Sequence, residues 1–429
     1  MRRLALIPIA AAALAASGCA TGQTGDPETV AGESAVVAGS VVSSAGGQVE
    51  YWVQYGPTTA YGAESAHQTI ATQQNTPTGV RVLVDGLARS TTYHYRLCAQ
   101  DGSQQGGPGC GEDRTVKTQS FECGETVSAN VRFTGDAFCQ SGGAGSPGIV
   151  IGAPAIEIDM HGFEIGGIVF VGGGSEPAID NSGGFDDVTI RDGGIGNFGD
   201  GIHLENASRN RILHVSSFGP QDGIDISGGE ANEVRHSNTF GRNSGLVATN
   251  TTGLIVADST ASGAFGHGMV LGGLVGSRIV RSQVIAGGNP CCTSVGIAVA
   301  GNGNVIKDNR IGGWNNGNIR LGSGADNKLL DNEVFDGFFP FVEPGASDSA
   351  GDGIFVGALT AGTIVRGNHT HDNDGDGIEV QGTETRITDN TADANGDFGI
   401  DAVAGVIDGG GNMASGNGNP LQCRNVFCL

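Results

Sequence analysis

A repeat of about 22 residues runs through residues 121–429 and constrains the fold more than any other feature. A Gly-Ile-x-Val motif recurs, and its first apolar residue follows the previous one after 22–24 residues, apart from two longer intervals of 28 and 35 residues. The series is Ile156, Ile179, Ile202, Ile224, Leu246, Met269, Ile297, Ile319, Ile354, Ile378 and Ile400. Repeats this short form solenoids, in which each repeat is buried by its neighbours.

The repeat length selects one kind of solenoid. About 22 residues are too few for an ankyrin or tetratricopeptide unit, and the leucine pattern of a leucine-rich repeat is missing. The length fits one coil of a parallel β-helix, in which equivalent positions stack ~4.8 Å apart and inward Ile and Val form ladders. We predict about eleven coils, structural Asn ladders at the turns, and loops at 287–294 and 338–350, where the intervals lengthen.

Two terminal segments carry a family resemblance. Cys123-Gly124-Glu125-Thr126-Val127 resembles the entry segment of bacterial right-handed β-helix repeat proteins of the pectate-lyase-like superfamily, and Gly416-Asn417-Gly418-Asn419-Pro420 through Cys423 resembles their closing segment. The resemblance covers residues 121–429. It implies a right-handed parallel β-helix. The resemblance identifies the family but says little about the activity of this chain.

The first 19 residues are typical of an export signal. Arg2 and Arg3 precede an apolar stretch, 4–14, that is too short to span a bilayer. Ala16-Ser17-Gly18-Cys19 resembles the bacterial lipobox, which implies that Cys19 is lipidated and anchors an exported protein to a bacterial membrane, in the periplasm or at the cell surface. An ordinary signal peptide cut nearby is the alternative. Residues 20–34 are expected to form a flexible tether.

Residues 35–118 show the alternation of half-buried strands, as in residues 49–55 and 92–97. Asp85-Gly86-Leu87 followed by Ser90-Thr91-Thr92-Tyr93 resembles the corner of bacterial fibronectin type III domains. The resemblance implies a small fibronectin-III-like β-sandwich that acts as a spacer or weak binder. The whole chain is therefore predicted to be all-β, with this module preceding the β-helix.

The remaining eight cysteines form four close pairs, which favours disulfides in an exported protein over zinc sites. The expected bridges join Cys98 to Cys110, Cys123 to Cys139, and Cys423 to Cys428. The adjacent pair Cys291 and Cys292 stays open, because neighbouring cysteines bridge each other only with strain.

The formal net charge of −23 argues against a nucleic-acid partner and against an anionic membrane surface, since no basic patch is present. Membrane contact is therefore expected only through the lipid anchor. A polyanionic glycan also needs a divalent cation to bridge it to such a chain.

The outward positions of the first coils are acidic. Reading one residue beyond each anchor brings Asp180, His203 and Asp225 into one column, and we take these three as candidate catalytic residues. The candidate binding residues beside them are Glu157, Asp159, Glu205 and Asp222. Stacked carboxylates of this kind hold either a Ca²⁺ ion, with Asp180, Asp225 and Glu205 as ligands, or a general acid and base. The alternative is a solvated acidic face.

Two further motifs are weaker. Asp222-Gly223, Gly266-His267-Gly268 and Ile306-Lys307 follow the order of the polygalacturonase signature, but Asn243-Ser244 stands where that family has Asp-Asp, so half of the acid–base set is missing. A candidate metal site consists of His369, His371, Asp372, Asp374 and Asp376, whose aspartates resemble part of a calcium loop. The closing Glu of such a loop is missing, which favours a surface turn instead.

Three function classes stay open. The first is a surface-anchored lipoprotein whose β-helix binds or processes extracellular or envelope polysaccharide, because β-helix enzymes commonly act on such polymers. The second is a non-catalytic adhesin or envelope structural protein. The third is a polysaccharide lyase or uronate epimerase that uses His203. We favour glycan contact, leave open whether the protein is an enzyme, and expect Ca²⁺ as the one candidate cofactor.

Overall fold

We describe the protein from a computed structural model, which describes residues 19–102, 107–139, 145–167, 176–219, 221–286, 294–338 and 351–429. Every regular element within these ranges is a β-strand. The chain divides into two compact units, with the boundary between Gln119 and Ser120. The predicted export signal lies outside the described residues, apart from Cys19, which is exposed and has a free thiol.

The first unit is a small β module with nine strands. They are β1 (Ala20–Val30), β2 (Ala35–Ser43), β3 (Gly47–Gly56), β4 (Ala63–Glu64), β5 (Gln68–Thr72), β6 (Thr78–Val84), β7 (Thr92–Asp101), β8 (Gly109–Cys110) and β9 (Arg114–Lys117). Their order is β4-β3-β7-β8-β1-β2-β6, with β5 beside β3 and β9 beside β7. Val37, Val53, Val82 and Leu97, from four of these strands, share one core.

The predicted tether at residues 20–34 is wrong. Residues 20–30 form strand β1, which pairs antiparallel with β2 from Ala20 opposite Ser43 to Val30 opposite Ala35. Ala20 is fully buried in the core of the module. The polar composition misled the prediction, because a strand with one solvated face needs only alternate apolar or small residues.

A tyrosine corner lies where β7 begins, within the single sheet that the nine strands form. The Ala88 N–H donates a hydrogen bond to the hydroxyl of Tyr93, five residues later, at 3.0 Å. A tyrosine that bonds back to the backbone just upstream is typical of Greek-key sandwiches of the immunoglobulin type. The assignment to the fibronectin type III family stays a prediction.

The second unit is a parallel β-solenoid with 35 short strands. They are β10 (Glu125–Val127), β11 (Val131–Arg132), β12 (Ala137–Cys139), β13 (Ile149–Ile151), β14 (Glu157–Asp159), β15 (Glu164–Gly167), β16 (Ile179–Asn181), β17 (Thr189–Gly196), β18 (Ile202–Glu205), β19 (Arg211–Gly219), β20 (Asp222–Ser227), β21 (Glu233–Arg235), β22 (Asn238–Gly241), β23 (Ser244–Thr249), β24 (Ile255–Ala257), β25 (Thr260–Gly263), β26 (His267–Val275), β27 (Arg278–Val280), β28 (Gln283–Ile285), β29 (Ile297–Asn302), β30 (Val305–Lys307), β31 (Arg310–Gly312), β32 (Ile319–Ala325), β33 (Lys328–Leu330), β34 (Glu333–Phe335), β35 (Ile354–Ala361), β36 (Ile364–Arg366), β37 (His369–His371), β38 (Ile378–Val380), β39 (Arg386–Thr388), β40 (Thr391–Asp393), β41 (Ile400–Ala402), β42 (Ile407–Gly410), β43 (Met413–Ser415) and β44 (Cys423–Arg424).

These strands form two parallel sheets. Thirteen of them make the front sheet, in the order β10-β13-β16-β18-β20-β23-β26-β29-β32-β35-β38-β41-β44. The other 22 make the back sheet, to which most coils contribute two strands. Apolar side chains from both sheets fill one continuous core, which runs from Phe121 to Cys423.

The predicted anchors line this core. From Ile179 to Ile400 every residue of the series is fully buried, and each lies opposite the next across adjacent front strands. In the back sheet the inward residues of two coils are Val256 and Val365, and the preceding Ile255 and Ile364 are only half-buried. A one-residue shift moves a side chain to the other face of a strand. Because two aliphatic residues are adjacent in each of these strands, the sequence pattern alone does not show which of them faces the core.

Buried asparagines form hydrogen-bonded ladders at the turns, as predicted. Asn309, Asn332, Asn368, Asn390 and Asn412 occupy one ladder, in which each backbone N–H donates to the side-chain oxygen of the next coil. The Asn332 amide also donates to the Ile306 carbonyl at 3.0 Å. Each asparagine therefore satisfies backbone groups that are out of reach of water.

The three expected disulfides are present, joining Cys98 to Cys110, Cys123 to Cys139, and Cys423 to Cys428. The second lies at the first coil of the solenoid and the third at its last front strand, where a solenoid needs caps. Cys291 and Cys292 lie outside the described residues.

Candidate functional site

The outward side chains of the front sheet form one continuous column. Each member lies opposite the next across a pair of parallel strands. The column reads Val150, Asp180, His203, Asp225, Val247, Val270, Ala298, Arg320, Phe355, Glu379, Asp401 and Arg424. It has a titratable group near each end and three aliphatic residues between them.

The group near the start of the column centres on His203. Its Nδ1 lies 3.0 Å from Asp225 Oδ2, and its Nε2 lies 3.9 Å from Glu205 Oε2. The hydrogen bond to Asp225 raises the pKa of His203, and the nearby charges of Asp180 and Asp200 act in the same direction. The His203 side chain is 23% exposed, so solvent and a bound molecule can reach it.

Two carboxyls lie at the start of the same strands. Burial, followed by the charges of Asp200 and Asp225, raises the pKa of Asp222 to about 6. Burial also raises the pKa of Asp200, whose Oδ1 accepts a hydrogen bond from the Asp222 N–H at 3.1 Å. An imidazole and two carboxyls with raised pKa values form a set that can exchange protons near neutral pH.

Of the other residues predicted on this face, only some lie close to His203. Asp180 lies next to His203 in the column, but its carboxylate accepts hydrogen bonds from the N–H and hydroxyl of Ser182. The set of ligand atoms within 4.8 Å of one another is Asp200, His203 and Asp225, rather than the predicted Asp180, Asp225 and Glu205. Calcium binding by the predicted set stays a prediction.

Glu157 and Asp159 do not belong to this face, which corrects the predicted binding set. Strand β14 lies in the back sheet, where Arg191 Nη2 donates to both Glu157 Oε1 and Asp159 Oδ2 at 2.9 Å. The front-sheet residue before Ile179 is Ile149. The interval of 23 residues between Ile156 and Ile179 matched the repeat length by coincidence. The interval between the paired residues Ile149 and Ile179 of the two front strands is longer by several residues.

His267 also stands apart from the polygalacturonase pattern. Its Nδ1 accepts a hydrogen bond from the Val295 N–H at 3.0 Å, and burial lowers its pKa. It lies opposite Ser244, where a paired carboxylate would be required. The described residues therefore offer no acid–base pair around His267.

A second acidic group lies near the other end of the column, and the sequence patterns did not predict that its members come together. Asp352, Asp376 and Glu379 are buried, and each offers a ligand atom within 4.8 Å of the others. The Asp376 N–H donates to Asp352 Oδ1 at 2.9 Å, and the Phe398 N–H donates to Asp376 Oδ1 at 2.8 Å. We call these three residues the carboxyl cluster.

Burial dominates the electrostatics of the carboxyl cluster. It raises the pKa of Asp376 to about 7 and raises that of Asp352 well above its usual range, with Glu379 adding to the second effect. Arg320 lies close enough to interact with Asp352 and Glu379, and its guanidinium stacks 4.4 Å from the ring centroid of Phe355.

A positional signal for the carboxyl cluster was present in the sequence. Asp200, Asp222, Asp352 and Asp376 all lie two residues before a buried anchor. The predicted surface turn at Asp376 is wrong, because this side chain is buried beside the front sheet. The surface turn was predicted from the local resemblance of Asp372, Asp374 and Asp376 to a calcium loop, without regard to the position of Asp376 in its coil.

Comparison with known families supports the fold. Residues 275–417 match the family described as right handed beta helix region, and residues 167–339 match the family described as periplasmic copper-binding protein (NosD). The solenoid is a right-handed parallel β-helix. No curated protein matches the chain.

Three solved structures show distant similarity. A mutant of the periplasmic alginate epimerase AlgG is 12% identical, with a TM-score of 0.48, and the match covers 70% of this chain and 85% of that chain. Pectate lyase Pel9A is 11% identical, with a TM-score of 0.36 and coverage of 65% and 69%. DFA-IIIase from Arthrobacter chlorophenolicus A6 is 15% identical, with a TM-score of 0.39 and coverage of 53% and 70%.

The described residues do not fit a copper site of the usual kind. Copper sites in proteins draw on several imidazole, thiolate or thioether ligands. The group around His203 offers one imidazole and two carboxylates. Two pairs of histidine rings lie close together, His214 with His236 at 5.0 Å and His369 with His371 at 4.6 Å between ring centroids. Among the residues that the structure describes, neither pair forms a compact group with a third ligand. We therefore derive no step through copper.

Over the described ranges, no helix has the length and hydropathy needed to cross a membrane.

Proposed function

We propose that the front sheet binds a polysaccharide along its outward column and that His203 exchanges a proton with the bound chain. The observation that carries the proposal is the His203–Asp225 hydrogen bond, set in a column of side chains that follows the solenoid axis. At ~4.8 Å for each strand, seven steps from His203 to Glu379 span ~34 Å. The column is partly exposed from His203 to Arg320, and an extended polymer can contact these coils, whereas Phe355 and Glu379 beyond them are buried.

The aliphatic middle of the column supports polymer binding. Val247, Val270 and Ala298 are half-buried and lie on three consecutive strands between the two acidic groups. A shallow apolar floor with polar groups at both ends suits sugar rings, which present apolar C–H faces and polar edges. A solvated acidic surface requires no such floor.

The geometry around His203 supports a part in proton exchange. When Nδ1–H donates to Asp225, Nε2 carries the lone pair and can accept a proton from a substrate. When both nitrogens are protonated, Asp225 stabilises the imidazolium and Nε2–H can donate. Asp225 thus orients the ring and supports its charge, as in other acid–base pairs of histidine and carboxylate.

We further propose that the protein is exported and lipid-anchored through Cys19. Three disulfides agree with an oxidising compartment, because such bonds rarely persist in the cytosol. Cys19 is exposed immediately before strand β1, which leaves its thiol accessible to modification.

A glycan array tests the polysaccharide proposal, run on the full-length protein with and without Ca²⁺. We expect retention of at least one extended glycan and chemical change in it, detected as new chain ends or an altered uronate. His203→Asn should abolish the change, while the matched variant His214→Asn on the back sheet should retain it. Binding without any change would favour the adhesin, and no glycan binding would refute the proposal.

A further inference from the structure

We infer that the carboxyl cluster of Asp352, Asp376 and Glu379 is a binding site for one divalent cation of the calcium type. The site lies at the far end of the column from His203 and is independent of the proposed proton exchange. It differs from the cation site predicted from the sequence, which uses Asp180, Asp225 and Glu205.

Two unpartnered oxygens point to a ligand. Asp352 is fully buried and Glu379 is 8% exposed. Asp352 Oδ2 and Glu379 Oε2 are both shielded from solvent, and no N–H or hydroxyl group in the described part of the chain donates to either oxygen. The two carboxyls can therefore bond only to each other through a shared proton, or to a cation. Leaving buried carboxylate oxygens without a donor or a cation is costly, so each such atom calls for a partner.

The cluster is also held ready for a ligand. One oxygen of each carboxylate accepts a hydrogen bond that fixes its orientation: from the Asp376 N–H in Asp352, from the Phe398 N–H in Asp376, and from the Gln381 amide at 2.7 Å in Glu379. The three ligand atoms lie within 4.8 Å of one another. Oxygen ligands of Ca²⁺ lie at about 2.3–2.6 Å from the ion, so two of them can be up to ~5 Å apart.

The local charges match a divalent cation. Asp401 forms an ion pair with Arg424, so the charges of these two residues cancel. Within the buried cluster three carboxylates then face one guanidinium, that of Arg320, which leaves two negative charges in excess when all groups are ionised. The exposed Asp397 adds to the negative potential at Asp376. One Ca²⁺ ion neutralises this excess. The competing explanation is that protons do so and no cation binds.

Calcium titration of the full-length protein after EDTA treatment distinguishes the two explanations. We expect isothermal titration calorimetry to show saturable binding of Ca²⁺ and the melting temperature to rise with it, because only the folded chain forms the site. Glu379→Gln and Asp376→Asn should each weaken binding by about tenfold or more. The matched variant Asp225→Asn should leave the affinity unchanged, since it alters only the His203 group.

Two results overturn the inference. One is the absence of saturable Ca²⁺ binding to the wild type, and the other is a loss of binding in Asp225→Asn that is absent in Glu379→Gln. Crystals soaked in Tb³⁺ give a readout that does not depend on the folding of a variant. An anomalous peak between Asp352 and Glu379 supports the site, and a peak only elsewhere contradicts it. None of these measurements involves a glycan, so their failure is separable from failure of the proposed function.

Discussion

His203 and Asp225 lie directly opposite each other on neighbouring front strands, and 3.0 Å separates Nδ1 of the histidine from Oδ2 of the aspartate. The parallel register creates this contact, because residues at equivalent positions of successive coils stack at one strand spacing. A sequence separation of 22 residues is thereby converted into a direct hydrogen bond.

The first prediction concerns the titration of His203. Its pKa should lie above the ordinary value, because the Asp225 carboxylate accepts its hydrogen bond and stabilises the imidazolium. Asp225→Asn should lower this pKa, since the charge is lost. NMR titration of the ring protons measures both values, and an unchanged His203 pKa in the variant would contradict the assignment.

The second prediction concerns stability as a function of pH. A group whose pKa is raised by folding stabilises the native state while it is protonated, and this contribution is lost as the pH rises through the folded pKa. His203 and Asp222 both have raised pKa values, the second at about 6, so both make stability fall as the pH increases. Urea melts between pH 5 and pH 8 measure how much the free energy of unfolding decreases over this range. In Asp225→Asn this decrease should be smaller than in the wild type by about 1 kcal/mol. A steeper fall in the variant would show that the sign is wrong.

The third prediction tests the asparagine ladder. Asn332→Ala should destabilise the solenoid by about 2–4 kcal/mol, because it leaves the buried Asn309 N–H and the Ile306 carbonyl without partners. Asn419→Ala, at a more exposed amide that bonds to Asp397, should cost less than about 1 kcal/mol. Denaturant melts of both variants measure the difference, and equal losses would argue against a structural role for the ladder.

The fourth prediction concerns the core. Ile224 is fully buried between Ile202 and Leu246 in the ladder of anchors. Ile224→Ala should cost about 2–5 kcal/mol and leave a folded protein. Ile224→Asp should unfold the array, because a buried charge without a partner costs more than a marginal stability can offset. Circular dichroism and melting follow both, and a folded aspartate variant would place this side chain outside the core.

The fifth prediction concerns anchoring. Cys19→Ala, expressed in the native host, should move the protein from the membrane fraction to the soluble exported pool. Fractionation and blotting detect the change. A variant that still sediments with membranes would show that the lipobox interpretation is wrong.

The sequence predicted the solenoid well because its fold is set by a strict local period. Ile202, Ile224 and Ile297 are buried as expected, since one apolar residue in each coil must face the same core. Ile156 is also buried in this core, but its place in the front-sheet series was wrong, because Ile149 and not Ile156 lies opposite Ile179. Spacing alone does not reveal which strand of a coil carries a motif.

The candidate site was harder to predict, because it depends on positions just outside the strands. The His203–Asp225 contact followed from the outward column. Asp352 was missed and Asp376 was interpreted as part of a surface turn, since the burial of both depends on how the chain enters each front strand. The β1 strand was missed for a related reason, as its pairing partner β2 decides its conformation more than its own composition.

The most direct test of the central claim is the dissociation constant of a polysaccharide selected on the array, measured for the wild type and two variants. Val270 lies midway along the outward column, and Val270→Glu should weaken binding by at least about tenfold, which corresponds to ~1.4 kcal/mol. Thr260→Glu, on a back strand, should bind like the wild type. Equal affinity of all three proteins would contradict the proposal that the polymer lies along the front sheet.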